Sequence, residues 1–455
     1  MLLVAVVAAG ATALYPIWRK AHPDPPELTV RYRTDTPATA TAAEPSLEVF
    51  NDSKKPLPLS DVALRYYFTA DGGSYAFNCV QAAFDCSDVA GTVVELDKPT
   101  DTADHYLELR FTDAAGTLKP GANSKGVDVQ LYRVDHKKLD QSNDRSFDAE
   151  KTTYKESKTI TAYKRGVLVW GEEPDGKKPD SDSKNASKAA ADPAPDLPSD
   201  VLFDNFHYTG AKDPALFKHG WLVRTSDGGP GIEDTWSADG VTFPSEKDAL
   251  GDGQVLNLRA STDGTKAGTK QASVGTSGRE FKSGTYAARI HFSDDPTTGK
   301  NGDHVNQTFY TIGGKGTTYS ELDNEYMPNG GWGRLGPKLD NVTWHTVDDR
   351  VYNTTVKSLA GWHTVVMTVK DGVVTYRVDG KKIYTTSGKY APRAGMSVNF
   401  NTWFIDLPFK GGERSWDMKV DWLYYNAKDA LSLEDVDSAV KNYSENGMNY
   451  FNTTS

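Results

Sequence analysis

Clustered basic residues are missing from this 455-residue chain, in which 51 Lys and Arg face 62 Asp and Glu for a formal charge of −11. Phosphate binding is driven by grouped Lys and Arg, so nucleic acid and anionic membrane surfaces are disfavoured as partners. Cysteine is scarce as well. Only Cys79 and Cys86 occur, and no set of Cys or His has the spacing of a zinc site. A G-x-S-x-G nucleophile elbow is absent. The Gly-rich DGGPG at Asp227 to Gly231 is followed by neither a P-loop lysine nor a helix start, which makes it a loop rather than a phosphate cradle.

Helix formers are few, whereas 40 Gly, 23 Pro, 22 Tyr, 17 Phe and 10 Trp set a strand-and-turn composition and an all-β expectation. One long uncharged run exists, MLLVAVVAAGATALYPIW at 1–18, ahead of Arg19 and Lys20. Its length lies between a signal peptide, cleaved near Ala11 to Ala13, and a short membrane anchor. Either one exports the chain, which is then secreted or held at the surface. Export makes Cys79 and Cys86 a disulfide across a short loop, with two free thiols as the alternative.

From residue 28 to 173, short alternating runs (LEVF, ALRYYFT, GTVVEL, HYLELRF, VDVQLY, TITAYKRGVLVW) are separated by turn signals, the pattern of a β-sandwich. Residues 174–200 hold almost no large apolar side chain and read as a flexible linker. Longer strands resume over 201–426, enough for a large two-sheet sandwich, with VDGKK at Val378 to Lys382 as a hairpin turn. In the tail, 427–455, Leu433, Val436 and Val440 have helical spacing, Ser432 can cap the start and Gly447 can end a short helix.

LRYYFTADG, CSDVAGTVVEL, HYLELRF, GTLKPGA, LDQSNDRSF and ITAYKRGVLVWGEEP, in this order, resemble a family 3 carbohydrate-binding module. The resemblance implies a structural calcium held by Thr69, Asp71, Asp140, Asn143 and Asp144, an oxygen-rich set that suits a hard cation; an Asx-rich turn is the alternative. Cellulose-binding members carry a flat aromatic and polar strip. This chain departs from it, with Val80 and Gln81 in place of an Asp-His pair, His136 in place of Trp, and Leu139 where an aromatic is usual. A face without those rings loses stacking area, which leaves a different glycan or a role as structural platform.

YSELDNE at 319–325 places Glu321, Asp323 and Glu325 at alternate positions. Chance alone supplies such a pattern roughly once in so acidic a chain, so its surroundings decide its meaning. On a strand the three acids project from one face, with Leu322, Asn324 and Tyr326 on the other. TFYTI, YSELDNEYMPNGGWG, AGWHTVVMTVKDGVVTYRVDGKKI and MSVNFNTWFID resemble, in order, the strands of a glycoside hydrolase family 16 enzyme on a concanavalin-like jelly roll. That resemblance implies Glu321 as nucleophile, Glu325 as general acid and then base, and Asp323 between them as the group that raises the pKa of Glu325. It also implies substrate contacts at Tyr319, Trp332, Trp344, His345 and Trp403, with the facing of Trp344 and His345 left open. Asn324 stands where the family has an apolar residue.

The sequence therefore predicts a monomeric, exported polysaccharide hydrolase that cleaves β-glycosidic bonds, β-glucan first among them, with no cofactor for catalysis. An insoluble glycan or cell wall is the expected partner of the first sandwich. A non-catalytic glycan-binding or adhesion protein and a transglycosylase are the alternatives.

Overall fold

The computed structural model describes residues 26–179, 200–251 and 253–454. The expected leader at 1–18 and most of the expected linker lie outside the described residues. Among the described residues no helix is long and apolar enough to cross a membrane.

Two all-β bodies follow the two alternating stretches of sequence. In the first, strands Leu28–Thr34, Pro45–Asn51, Val127–Arg133 and Tyr75–Gln81 lie in one antiparallel sheet. Strands Val167–Trp170, Ile160–Lys164, Val62–Phe68, Ala103–Phe111 and Val89–Thr100 form the second sheet. The period-2 pattern explains the layering: Leu64 and Tyr66 of one sheet and Val129 and Leu131 of the other are buried in a shared core, while the residues between them face outward. Cys79 and Cys86 are joined in a disulfide with Cα atoms 5.5 Å apart, as expected.

The second body packs a nine-stranded sheet on a seven-stranded one. Across the seven-stranded sheet the order is Trp221–Val223, Ala272–Thr276, Met396–Phe404, Val305–Gly313, Ser320–Met327, Lys338–Thr346 and Asp349–Val356. Phe309, Leu322, Tyr326, Leu339 and Phe400 of this sheet meet Tyr286, Met367, Tyr376 and Val420 of the other in a continuous apolar core. The predicted hairpin is present: Asp379 and Gly380 have φ of 50° and 74°, the left-handed pair that a two-residue turn requires.

The tail is more than a helix. Leu433–Glu445 is helical, with Ser432 and Asp435 in a reciprocal capping box, and it buries Val436, Val440 and Tyr443 against Phe203 and Trp422. After it, Tyr450–Asn452 adds a strand beside Val201–Asp204 and so enters the nine-stranded sheet, which helical spacing alone did not foretell.

Candidate active site

Register defines one row of side chains after another on the outer face of the seven-stranded sheet. Asp323 stands opposite Tyr310 on one neighbouring strand and Val342 on the other; Tyr310 in turn stands opposite Asn399. Glu325 lies between Thr308 and Asp340, and Glu321 between Ile312 and Trp344. Alternation puts Glu321, Asp323 and Glu325 together, as the sequence predicts, with the Cα atoms of the outer two about 13 Å apart on an extended strand.

Each acid has a dedicated donor. The Tyr319 hydroxyl donates to Glu321 Oε2, Trp344 Nε1 donates to Asp323 Oδ2 at 2.6 Å, and Asn306 Nδ2 donates to Glu325 Oε1 at 2.7 Å. Burial nevertheless dominates. It pushes Glu321 up to about 7 against the hydrogen bond from Tyr319 and the attraction of Arg350. Glu325 also rises to about 7 through burial, with Asp340 and Glu321 adding repulsion and Asn306 and Lys338 opposing it. Asp323, buried between the two glutamates, is held well above the usual carboxylate range by burial and then by their charges. Three acids this close retain protons at a pH where free carboxylates have lost theirs.

Aromatic side chains flank the acids at both ends. Beyond Glu325, Trp403 stands opposite Asn306 and lies 6.2 Å, centroid to centroid, from the exposed ring of Trp332. Trp332 has φ of 49° in the turn after the signature strand, and Lys338 Nζ sits 5.4 Å from its centroid. Beyond Glu321, Tyr319 and Trp344 form the other flank, with the Arg350 guanidinium 4.4 Å from the Trp344 ring.

His345 does not belong to this face. It lies where the strand register shifts, between Trp344 and Thr346, and its Nδ1 hydrogen-bonds the Lys389 carbonyl at 2.8 Å. Of these two neighbours, Trp344 is the one whose side chain reaches the acids, through its bond to Asp323. Asn324, the misfit of the signature, is fully buried, donates to the Phe309 carbonyl at 3.3 Å and accepts from Asn341 Nδ2 at 2.8 Å. A second buried amide across the strand thus answers the first.

Sequence reasoning missed Asn306, Tyr310 and Asn401. All three lie on the acid face, and Asn401 Nδ2 donates to the Tyr310 hydroxyl at 3.2 Å. The signal was present in HVNQTFYTI and MSVNFNTWFI, where Asn306, Thr308 and Tyr310, and Ser397, Asn399 and Asn401, recur at every second position.

In the first sandwich, the loops expected to hold calcium do converge. Asp71 Oδ2 accepts from the Asp140 amide at 2.8 Å, Asp144 Oδ1 accepts from the Thr69 amide at 2.7 Å, and Thr69 Oγ1 lies 3.4 Å from the Asn143 carbonyl. Asp144 is pushed up to about 7 by burial and, beyond the opposing Thr69 bond, by Asp71, Asp140 and Asp104. Among the described residues, no group of three or more His, Cys, Asp or Glu has metal-holding geometry. Carboxylates alone therefore do not make the site. Their shared negative charge and the adjacent Thr69 and Asn143 oxygens fit a hard cation in charge and donor type.

A family model described as cellulose binding domain, CBM3, matches residues 29–171. The chain is 39% identical over 144 residues to an exoglucanase from Thermoclostridium stercorarium, covering 31% of this chain and 16% of that protein. It is 37% identical over 155 residues to a cellulosomal-scaffolding protein from Acetivibrio thermocellus, covering 32% of this chain and 20% of that one. The chain thus spans no more than a fifth of either of these curated relatives. Among solved structures, a scaffoldin CBM3a domain with its flanking linkers, from Clostridium thermocellum, is 34% identical, with 36% of this chain and 96% of that one covered and a TM-score of 0.32. Residues 29–171 therefore form a domain of the CBM3 family of cellulose binding domains.

Proposed function

We propose that the second sandwich is a retaining glycoside hydrolase of the family 16 type, acting on a β-linked glucan, and that the chain works outside the cell. The observation that carries this reading is the row Glu321, Asp323 and Glu325, buried on one sheet face, individually hydrogen-bonded and flanked by Tyr319, Trp344, Trp332 and Trp403. The glucan-related and cellulosomal relatives of the first sandwich support an extracellular polysaccharide as the target.

Chemistry follows from the residues present. A sugar ring stacked on the flanking aromatics presents its anomeric carbon to Glu321, whose carboxylate attacks as Glu325 gives its proton to the departing glycosidic oxygen. A covalent glycosyl-enzyme results. Glu325, now ionised, takes a proton from water, the water oxygen displaces Glu321, and the sugar leaves with its original configuration. Burial supplies the protonated acid that the first step needs, and the protonated Tyr319 hydroxyl holds Glu321 in line. The proton of Glu325 is kept by burial and by the charges of Asp340 and Glu321, while Asp323, itself held well above the usual carboxylate range, is fixed between the two glutamates by Trp344. A sugar hydroxyl in place of water would give transglycosylation by the same residues.

Reducing-sugar release from laminarin, barley β-glucan, agarose and carrageenan tests the reading, with wild type set against Glu321→Gln and Glu325→Gln. Wild-type release lost in both variants supports it. Absence of release by wild type from all four would leave the second reading, glycan binding without cleavage, which the binding family of the first sandwich favours. In the first sandwich, Thr69, Asp71, Asp140, Asn143 and Asp144 would hold a calcium ion that ties two loops together. The chain is expected to act as a monomer.

A further inference from the structure

An independent surface module keeps its outer polar side chains in water. The first sandwich does not do so along strands Tyr75–Gln81 and Val127–Arg133. Asn78 and Tyr132 alternate with core residues and so face outward, yet they are 2% and 0% exposed. Both find partners on the second sandwich: Asn78 Nδ2 donates to the His207 carbonyl, and the Tyr132 hydroxyl donates to Gln254 Oε1 at 3.2 Å. His136 Nε2 donates to the Phe243 carbonyl at 2.7 Å. In the reverse direction, His219 Nε2 donates to the Cys79 carbonyl at 3.2 Å and Asn449 Nδ2 to the Phe77 carbonyl at 2.7 Å.

Packing agrees with the hydrogen bonds. Val80 lies against the apolar core of the second sandwich. A Cβ on Gly447, just past the C-terminal helix, would meet Thr92 Oγ1 at 2.5 Å and the Gly91 carbonyl at 2.6 Å, so this turn is seated directly on the first sandwich. Buried polar groups are hydrogen-bonded in native structures, and here the partners of these groups lie across the boundary, with apolar contact beside them.

We infer that this face of the first sandwich is an intramolecular docking surface: the two sandwiches form one body, and Asn78, Tyr132 and His136 are committed to protein rather than to polysaccharide. The full chain, with a specific protease site placed within residues 180–199, provides the test. Cys79 and Cys86 lie on the same side of the cut, so no covalent bond joins the halves afterwards. On gel filtration the cleaved wild type is expected to elute with the uncut chain, whereas Asn78→Arg weakens reassociation of the halves at least tenfold. Should a folding defect follow from that charge, the milder Tyr132→Phe takes away the hydroxyl that meets Gln254 and is expected to weaken reassociation in the same direction. Wild-type halves that separate on cleavage, or folded variants that reassociate as tightly as wild type, would overturn the assignment. Neither readout depends on catalysis.

Discussion

Trp344 stands opposite Glu321 in register but gives its indole N–H to Asp323, at 2.6 Å. This diagonal bond joins the flanking aromatic to the middle acid. Trp344→Phe keeps the ring and removes the donor. Leaving a buried acceptor without its donor costs about 1–3 kcal/mol, so kcat/KM should fall by roughly fivefold to a hundredfold. A purely stacking role for Trp344 would leave the pH profile of kcat unmoved, and pH-rate measurement separates the two.

Glu321→Gln and Glu325→Gln should fail at different steps. The first removes the proposed nucleophile, and burst kinetics with an activated aryl glycoside should show no glycosyl-enzyme. The second removes the proposed proton donor, an effect of roughly 10²–10⁴-fold in general acid catalysis. With an activated leaving group that needs little protonation, Glu325→Gln should recover much of its first step. Equal losses of Glu325→Gln on activated and natural substrates would contradict its role as acid.

Stability should depend on pH with a definite sign. Glu321 and Glu325 are raised to about 7 in the fold, above the ordinary value of 4.5, so between these values the native state holds protons that the unfolded chain has released. The stability they contribute is complete below 4.5 and declines as pH rises through about 7. Asp144 and Asp204, also raised to about 7 by burial, act in the same direction. Glu325→Gln should therefore melt higher than wild type at pH 8, by roughly 2–4 °C per kcal/mol relieved, and lose that advantage at pH 4. Calorimetry at the two pH values provides the comparison.

Calcium should raise the melting temperature of the full chain, and a chelator should lower it. At a free concentration a hundredfold above Kd the linkage is worth about 2.7 kcal/mol. Asp71→Asn and Asp144→Asn, which remove charge from the converging loops, should abolish the response. Identical melting curves with calcium and with chelator would count against the site.

Alternation was enough to reveal both sandwiches, the hairpin at Asp379 and Gly380, and the shared face of the three acids, because a strand obeys one short-range rule. Family resemblance added Tyr319, Trp332, Trp344 and Trp403. What the sequence hid depends on strand order: Asn306 meets Glu325 from a neighbouring strand nineteen positions earlier, and Tyr310 meets Asp323 likewise. The departures Val80 and His136 were legible as departures. Their cause was not, since Phe243 and the core behind Val80 lie beyond the linker in a second body.

The buried pair Asn324 and Asn341 has a further consequence. A slip of one residue between their strands would carry the acids toward the apolar interior and break the amide pair, leaving polar groups unsatisfied at about 1–3 kcal/mol each. Leucine at 324 would tolerate several alignments; asparagine accepts the one that meets another asparagine. The residue that looked out of place in the signature thus acts as an alignment key for the strand that carries Glu321, Asp323 and Glu325.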